Sequence, residues 1–135
     1  MRRLRIQLVA IACGGALGTV LRIAVQEAAP VGSGFPWQTL AINLAGAWLL
    51  GVAAAVTVSD DPLTGWRLPL VGTGLCGALT TFSGLCVETL DLMEAGLVGT
   101  ALAYVAASVA LGLPAAAIGG WLADGRHLGR TERSR

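Results

Sequence analysis

The sequence predicts an all-α integral membrane protein of four spans, on three observations: long apolar runs, ionisable residues confined to the gaps between them, and no grouping of residues that would build a catalytic centre. Of 135 residues, 55% are hydrophobic and 13% charged, with a mean hydropathy of +0.72; a soluble domain carries about 25% charge. Nothing ionises over 28–59, 68–87 or 95–123. A helix needs about 20 apolar residues to cross about 30 Å of hydrocarbon, so spans are expected near 4–28, 37–58, 68–90 and 97–122. Residues 1–123 then form one transmembrane domain, followed by a basic C-terminal tail over 124–135.

The first span opens on Met1-Arg-Arg-Leu-Arg5, which mimics a secretory leader, but its apolar character continues past Cys13 and so reads as a retained helix. Gly14 and Gly18 make a GxxxG spacing that lets a second helix approach closely. Arg22, near the far end, either snorkels to the interface or faces a water-filled vestibule.

After a loop containing Pro30 and Pro36, Trp37 anchors the second span at an interface. Thr39, Asn43, Ala47 and Gly51 follow at four-residue steps and are expected on one small, polar helix face. A carboxamide without partners in hydrocarbon costs several kcal/mol. Asn43 is therefore either interhelical glue or an N–H donor to a passing ion.

A second loop, with Asp60, Asp61 and Pro62, leads through Trp66 and Arg67 into the third span. Its central stretch, VGTGLCGALTTFSGLCVE over 71–88, is apolar enough for a bilayer yet a poor continuous helix. Gly72, Gly74 and Gly77 weaken its first half, and Thr80, Thr81 and Ser83 surround Phe82. Such a stretch is either a glycine-rich packing helix, its hydroxyls bonded back to the preceding turn, or a broken helix. A break at membrane depth offers freed carbonyls to a cation and freed donors to an anion. Glu88, Asp91 and Glu94 then give an acidic, partly interfacial end.

The fourth span carries Thr100, Tyr104, Ser108 and Gly112, again at four-residue steps, and is closed by Gly119-Gly-Trp121. Cys13, Cys76 and Cys86 lack metal-type spacing and read as small apolar packing residues; the single histidine, His127, sits in the tail. No nucleophile–base pair is available, so the chain is not read as an enzyme, and nothing points to nucleic acid. Faces of neutral hydroxyls and amide suit an ion rebound by neutral donors, whereas a proton-driven transporter more often needs a buried carboxylate.

Four segments together resemble a known family: Gly14-Gly-Ala-Leu-Gly18 with Arg22; Trp37-Gln-Thr-Leu-Ala-Ile-Asn43-Leu-Ala-Gly46; Gly74-Leu-Cys-Gly-Ala-Leu-Thr-Thr-Phe-Ser83 with Glu88; and Tyr104 with Ser108. They are similar, in this order and across all four spans, to the small bacterial fluoride channels of the CrcB or Fluc family. The resemblance implies a multi-pass protein of the bacterial plasma (inner) membrane that passes fluoride passively and relieves its toxicity. It also implies an antiparallel dimer of four-helix subunits with two pores along the interface. Carried over by position, Asn43 and Phe82 would line the fluoride path with Thr39, Ser83, Tyr104 and Ser108 alongside. Carbonyls of Gly77 and Thr80 would hold a structural Na⁺ at the two-fold axis, and Arg22, Thr81 and Glu88 would belong to the surroundings.

Three positions depart from the family pattern. Where members usually read TTFSTF, this chain has Gly84 and Leu85, and where helix four often has a serine it has Gly112. Arginines are also unevenly placed. With four spans, Arg2, Arg3, Arg5, Arg67, Arg126, Arg130, Arg133 and Arg135 share one side against Arg22 alone. The positive-inside rule then puts both termini in the cytoplasm and favours one orientation. An oppositely inserted paralogue, rather than a second copy, is the expected partner. The rival readings are a partly degenerate or non-conducting assembly subunit, and a small multidrug exporter. The exporter would need a membrane-embedded glutamate in the first helix, where Glu27 lies at the helix end.

Overall fold

The computed structural model describes residues 1–28, 34–57 and 65–132, with side chains as far as Asp124. Most of both predicted loops, and the side chains of His127, Arg126, Arg130, Arg133 and Arg135, lie outside the described residues.

Helix α1 covers Arg2–Ala28 and α2 covers Trp37–Thr57. The third span is built from pieces: a π-helical stretch over Pro69–Cys76, a single turn α3 over Gly77–Leu79, and α4 over Phe82–Glu94. Helix α5 runs over Val98–Glu132. Four stretches are long and apolar enough to cross a membrane: Arg2–Ala28, Trp37–Val56, Pro69–Glu94 and Val98–Asp124. All regular structure among the described residues is helical. The tail expected after 123 begins as helix, because α5 continues to Glu132. Gly119 and Gly120 pack against α2 in the last turns of the fourth span, which ends at Asp124.

The turn from α4 to α5 follows from one glycine. Gly96 adopts φ 77°, the left-handed region open to glycine. Its N–H donates to the Met93 carbonyl at 3.0 Å and that of Leu97 to the Leu92 carbonyl at 2.8 Å, the paired bonds of a Schellman cap.

Packing skips sequence neighbours. Helix α1 lies mainly against the π-helical stretch and α3, while α2 lies mainly against α5. Gly14 and Gly18 are the buried side of α1, and a methyl on either would collide with the Leu70 or the Leu75 carbonyl. On the other seam, a methyl on Gly51 would strike the Ala116 carbonyl, and one on Gly119 the Trp48 carbonyl. Backbone meets backbone in both places, the contact small residues permit between helices in lipid. A four-residue step overshoots a 3.6-residue turn by about 40°. That drift is why Gly51 has rotated off the Thr39–Asn43–Ala47 face and onto α5.

Leu40, Leu92, Ala101 and Tyr104 form the buried core, with Phe35, Leu44, Leu85 and Ala107 packed around it. Outward-facing Leu8, Leu17, Leu102 and Leu113 leave an apolar perimeter, as a bilayer requires. Trp37, Trp66 and Trp121 are exposed near span ends, as interfacial anchors are.

Candidate ion pathway at the broken third span

The helical ladder stops at Thr80. Thr80 (φ −75°, ψ 153°) and Thr81 (φ −144°, ψ 112°) are extended, and α4 starts afresh at Phe82. Thr80 closes the first half, its N–H and its hydroxyl both donating to the Cys76 carbonyl at 3.0 and 2.9 Å. Thr81 opens the second half as an N-cap, its Oγ1 accepting from the Gly84 N–H at 2.9 Å. The hydroxyls of Thr81 and Ser83 are 3.2 Å apart.

Asn43 brackets the extended residue from α2. Its Oδ1 accepts from the Thr81 N–H at 2.8 Å and its Nδ2 donates to the Thr81 carbonyl at 3.3 Å. One Nδ2 hydrogen is thereby used and one remains. Gly46, one turn on, makes room for the Thr80 methyl. Against these residues lies an open groove of about 410 Å³ whose walls include Asn43, Thr80, Thr81, Phe82, Leu85 and Ser108. No residue lining it carries a charge. Phe82 is 79% exposed, standing at the open side of the groove rather than in the subunit's core.

A second cluster sits nearer the Trp37 end of the molecule. Glu88 accepts from Thr39 Oγ1 on one carboxylate oxygen and from the Tyr104 hydroxyl on the other, each at 2.5 Å. Thr39 and Tyr104 are fully buried, and the Tyr104 ring meets Phe35 edge-on with centroids 5.4 Å apart. Glu88 is thus turned inward against α2 and α5. It shares the wall of a cavity of about 500 Å³ with Gln26, Gln38, Thr39 and Asp91.

The residues singled out from the sequence therefore fall into two places. Asn43, Gly77, Thr80, Thr81, Phe82 and Ser108 surround the groove, joined by the departing Leu85, whereas Thr39, Glu88 and Tyr104 form the cluster beyond it. Ser83 is exposed beside Thr81. Ser108 spends its hydroxyl on the Tyr104 carbonyl at 2.8 Å. Arg22 is half-buried on α1 and lines neither cavity. The departures differ in kind: a side chain at Gly112 would meet nothing within 4 Å, while one at Gly84 would crowd Thr81. The packing role expected of all three cysteines holds for Cys76, which is buried, but Cys13 and Cys86 face outward. Phe35 was not singled out; its aromatic ring beside Pro36 in an otherwise small-residue loop was the available signal.

Among the described residues no three His, Cys, Asp or Glu side chains gather to hold a metal, so a cation here would rest on backbone oxygens. The break supplies them. In an unbroken helix the Gly77 carbonyl accepts from the amide of Thr81, and that of Thr80 from the amide of Gly84. Both amides are engaged elsewhere, on Asn43 Oδ1 and Thr81 Oγ1.

A four-span helical membrane protein whose third span opens at mid-depth onto a neutral, hydroxyl- and amide-lined groove belongs with proteins that handle ions through discontinuous helices. The family model described as "CrcB-like protein, Camphor Resistance (CrcB)" matches residues 9–121, and the chain belongs to that family. It is 44% identical over 108 residues to Fluoride-specific ion channel FluC 1 of Mycobacterium bovis, covering 79% of this chain and 82% of the relative. Fluoride-specific ion channel FluC of Thermus thermophilus is 40% identical over 111 residues, covering 81% and 87%. The protein of the same name from Erythrobacter litoralis is 42% identical over 117 residues, covering 81% and 85%.

Proposed function

We propose that this chain is a subunit of a passive, fluoride-selective channel in a bacterial membrane; the relatives it matches are named fluoride-specific ion channels. The observation that carries the reading is the extended pair Thr80–Thr81 held open by Asn43 beside an uncharged groove. Fluoride is small and strongly hydrated, so its path must replace water with close donors. The remaining Asn43 Nδ2 hydrogen and the one hydroxyl hydrogen that the Thr81–Ser83 pair leaves free are such donors, and a phenylalanine edge presents the positive part of its quadrupole to an anion. Fluoride-loaded liposomes test it: rapid electrogenic efflux at a fluoride electrode is expected. Efflux no faster than from empty liposomes, with this chain in its native assembly, would overturn it, and proton-coupled drug uptake would point to an exporter.

The assembly belongs to the same proposal. Phe82 and the groove lie on an open face, which an oppositely oriented subunit would cover. The arginine bias, together with Gly84, Leu85 and Gly112, supports pairing with a related paralogue, both termini of this chain being cytoplasmic. The carbonyls of Gly77 and Thr80, released from their usual donors, fit a structural sodium ion. Bound there it would add a fixed positive charge in low dielectric that favours an anion nearby.

A further inference from the structure

We infer that Asn43 and Thr81 are positioning residues for the cation site, each acting by diverting one backbone amide from one carbonyl; this rests on the sodium reading above. The argument is an accounting of donors. A peptide N–H at membrane depth cannot be left unpaired, because no water competes for it and the cost is several kcal/mol. If nothing else accepted from the amide of Thr81, the nearest outlet would be the Gly77 carbonyl four residues back, and α3 would lengthen. Asn43 Oδ1 takes that amide at 2.8 Å. If nothing else accepted from the amide of Gly84, α4 would wind back one turn onto the Thr80 carbonyl. Thr81 Oγ1 takes that amide at 2.9 Å. Gly77 and Thr80 are thus the outer two of the four carbonyls, 77 to 80, that lose their helical donors at the break, and the two whose donors have a named side-chain acceptor instead.

This gives Asn43 two separable duties. Its oxygen keeps the Gly77 carbonyl available, and its nitrogen steadies the Thr81 carbonyl at 3.3 Å while offering a second hydrogen to the groove. A side chain at Gly84 would press on both Cγ2 and Oγ1 of Thr81, the hydroxyl that holds the Gly84 amide.

Sodium-dependent thermal stabilisation of the purified native dimer in detergent tests the assignment without any flux measurement. Sodium is exchanged against N-methyl-D-glucamine at constant ionic strength, and the half-maximal concentration is read from the shift in melting temperature. Asn43→Leu removes the acceptor at nearly constant volume, and Thr81→Val does so isosterically. Each is expected to raise the half-maximal sodium concentration about tenfold or more. Thr81→Ser keeps the acceptor without adding a charge and is expected to stay within about threefold of the wild type. Should Asn43→Leu fail to fold, the Thr81→Val and Thr81→Ser pair carries the decision. An unshifted midpoint in Asn43→Leu or Thr81→Val would overturn the inference, as would a Thr81→Ser midpoint displaced as far as that of Thr81→Val. A wild-type melting temperature indifferent to sodium would remove the cation site itself; a sodium-dependent wild type with unshifted variants would remove only the role of these two residues.

Discussion

Thr39 on α2 and Tyr104 on α5 hold opposite oxygens of one carboxylate, Glu88 on α4, so three helices meet at a single side chain. Tyr104→Phe deletes one donor and keeps the ring against Phe35. Hydrogen bonds to charged groups contribute about 1.5–3 kcal/mol, while bonds between membrane helices average about 0.6 kcal/mol and reach about 1.7. A loss of about 1.5 kcal/mol is expected, measured by unfolding in mixed SDS and mild detergent. A loss below about 0.3 kcal/mol would mean the carboxylate finds another partner.

Asn43→Asp should abolish fluoride efflux while the protein still folds, because a fixed anion at the groove repels the permeant one. Normal efflux from the aspartate variant, in liposomes containing the native assembly, would take Asn43 out of the path.

Gly18→Val places a branched side chain against the Leu75 carbonyl and the Ala78 Cβ. Backbone cannot yield as a side chain can, so the variant should lose about 1–3 kcal/mol or fail to accumulate in the membrane. Leu17→Val, one residue away on the outward face, is the control and should cost less than about 0.5 kcal/mol.

Two departures from the family pattern should respond oppositely to reversal. Gly112→Ser adds a side chain into open space and should leave the melting temperature unchanged. Gly84→Thr forces Thr81 out of its capping rotamer and should cost about 1 kcal/mol. Equal melting temperatures for the two variants would show that Thr81 does not cap α4 as described.

Orientation is open to direct measurement. A cysteine appended after Arg135, in a background with Cys13 and Cys86 replaced by alanine, is exposed to an impermeant thiol reagent on intact cells. Near-zero labelling is expected from the arginine bias. Labelling of about half the molecules would mean insertion both ways, and pairing with a distinct paralogue would no longer be needed.

The spans were legible because hydropathy and charge segregation are strong signals over about 20 residues. The break was legible only as one of two readings, since Gly77, Thr80 and Thr81 weaken a helix locally but also suit a packing helix whose hydroxyls bond back to the preceding turn. What sequence could not supply was the identity of the bonds that hold it open. Asn43 and Thr81 are 38 residues apart, and no periodicity links them. The partners of Glu88 were hidden for a related reason: beside Asp91 and Glu94 it reads as part of an acidic helix end, and only tertiary contact shows that Thr39 and Tyr104 receive it. The π-helical stretch over Pro69–Cys76 was equally hidden, because nothing in the periodicity of so short and glycine-rich a run distinguishes π from α winding.

The skipped-neighbour packing implies an order of assembly. Helices α1 and α2 touch each other little, and each is completed by a segment made later. On leaving the ribosome the first hairpin is therefore two waiting templates rather than a finished unit. The third span, whose interrupted ladder would be costly in bare lipid, emerges when the glycine face of α1 is already in place to cover it. The final helix then docks on α2 and closes the subunit, with the uncharged groove left open on its face.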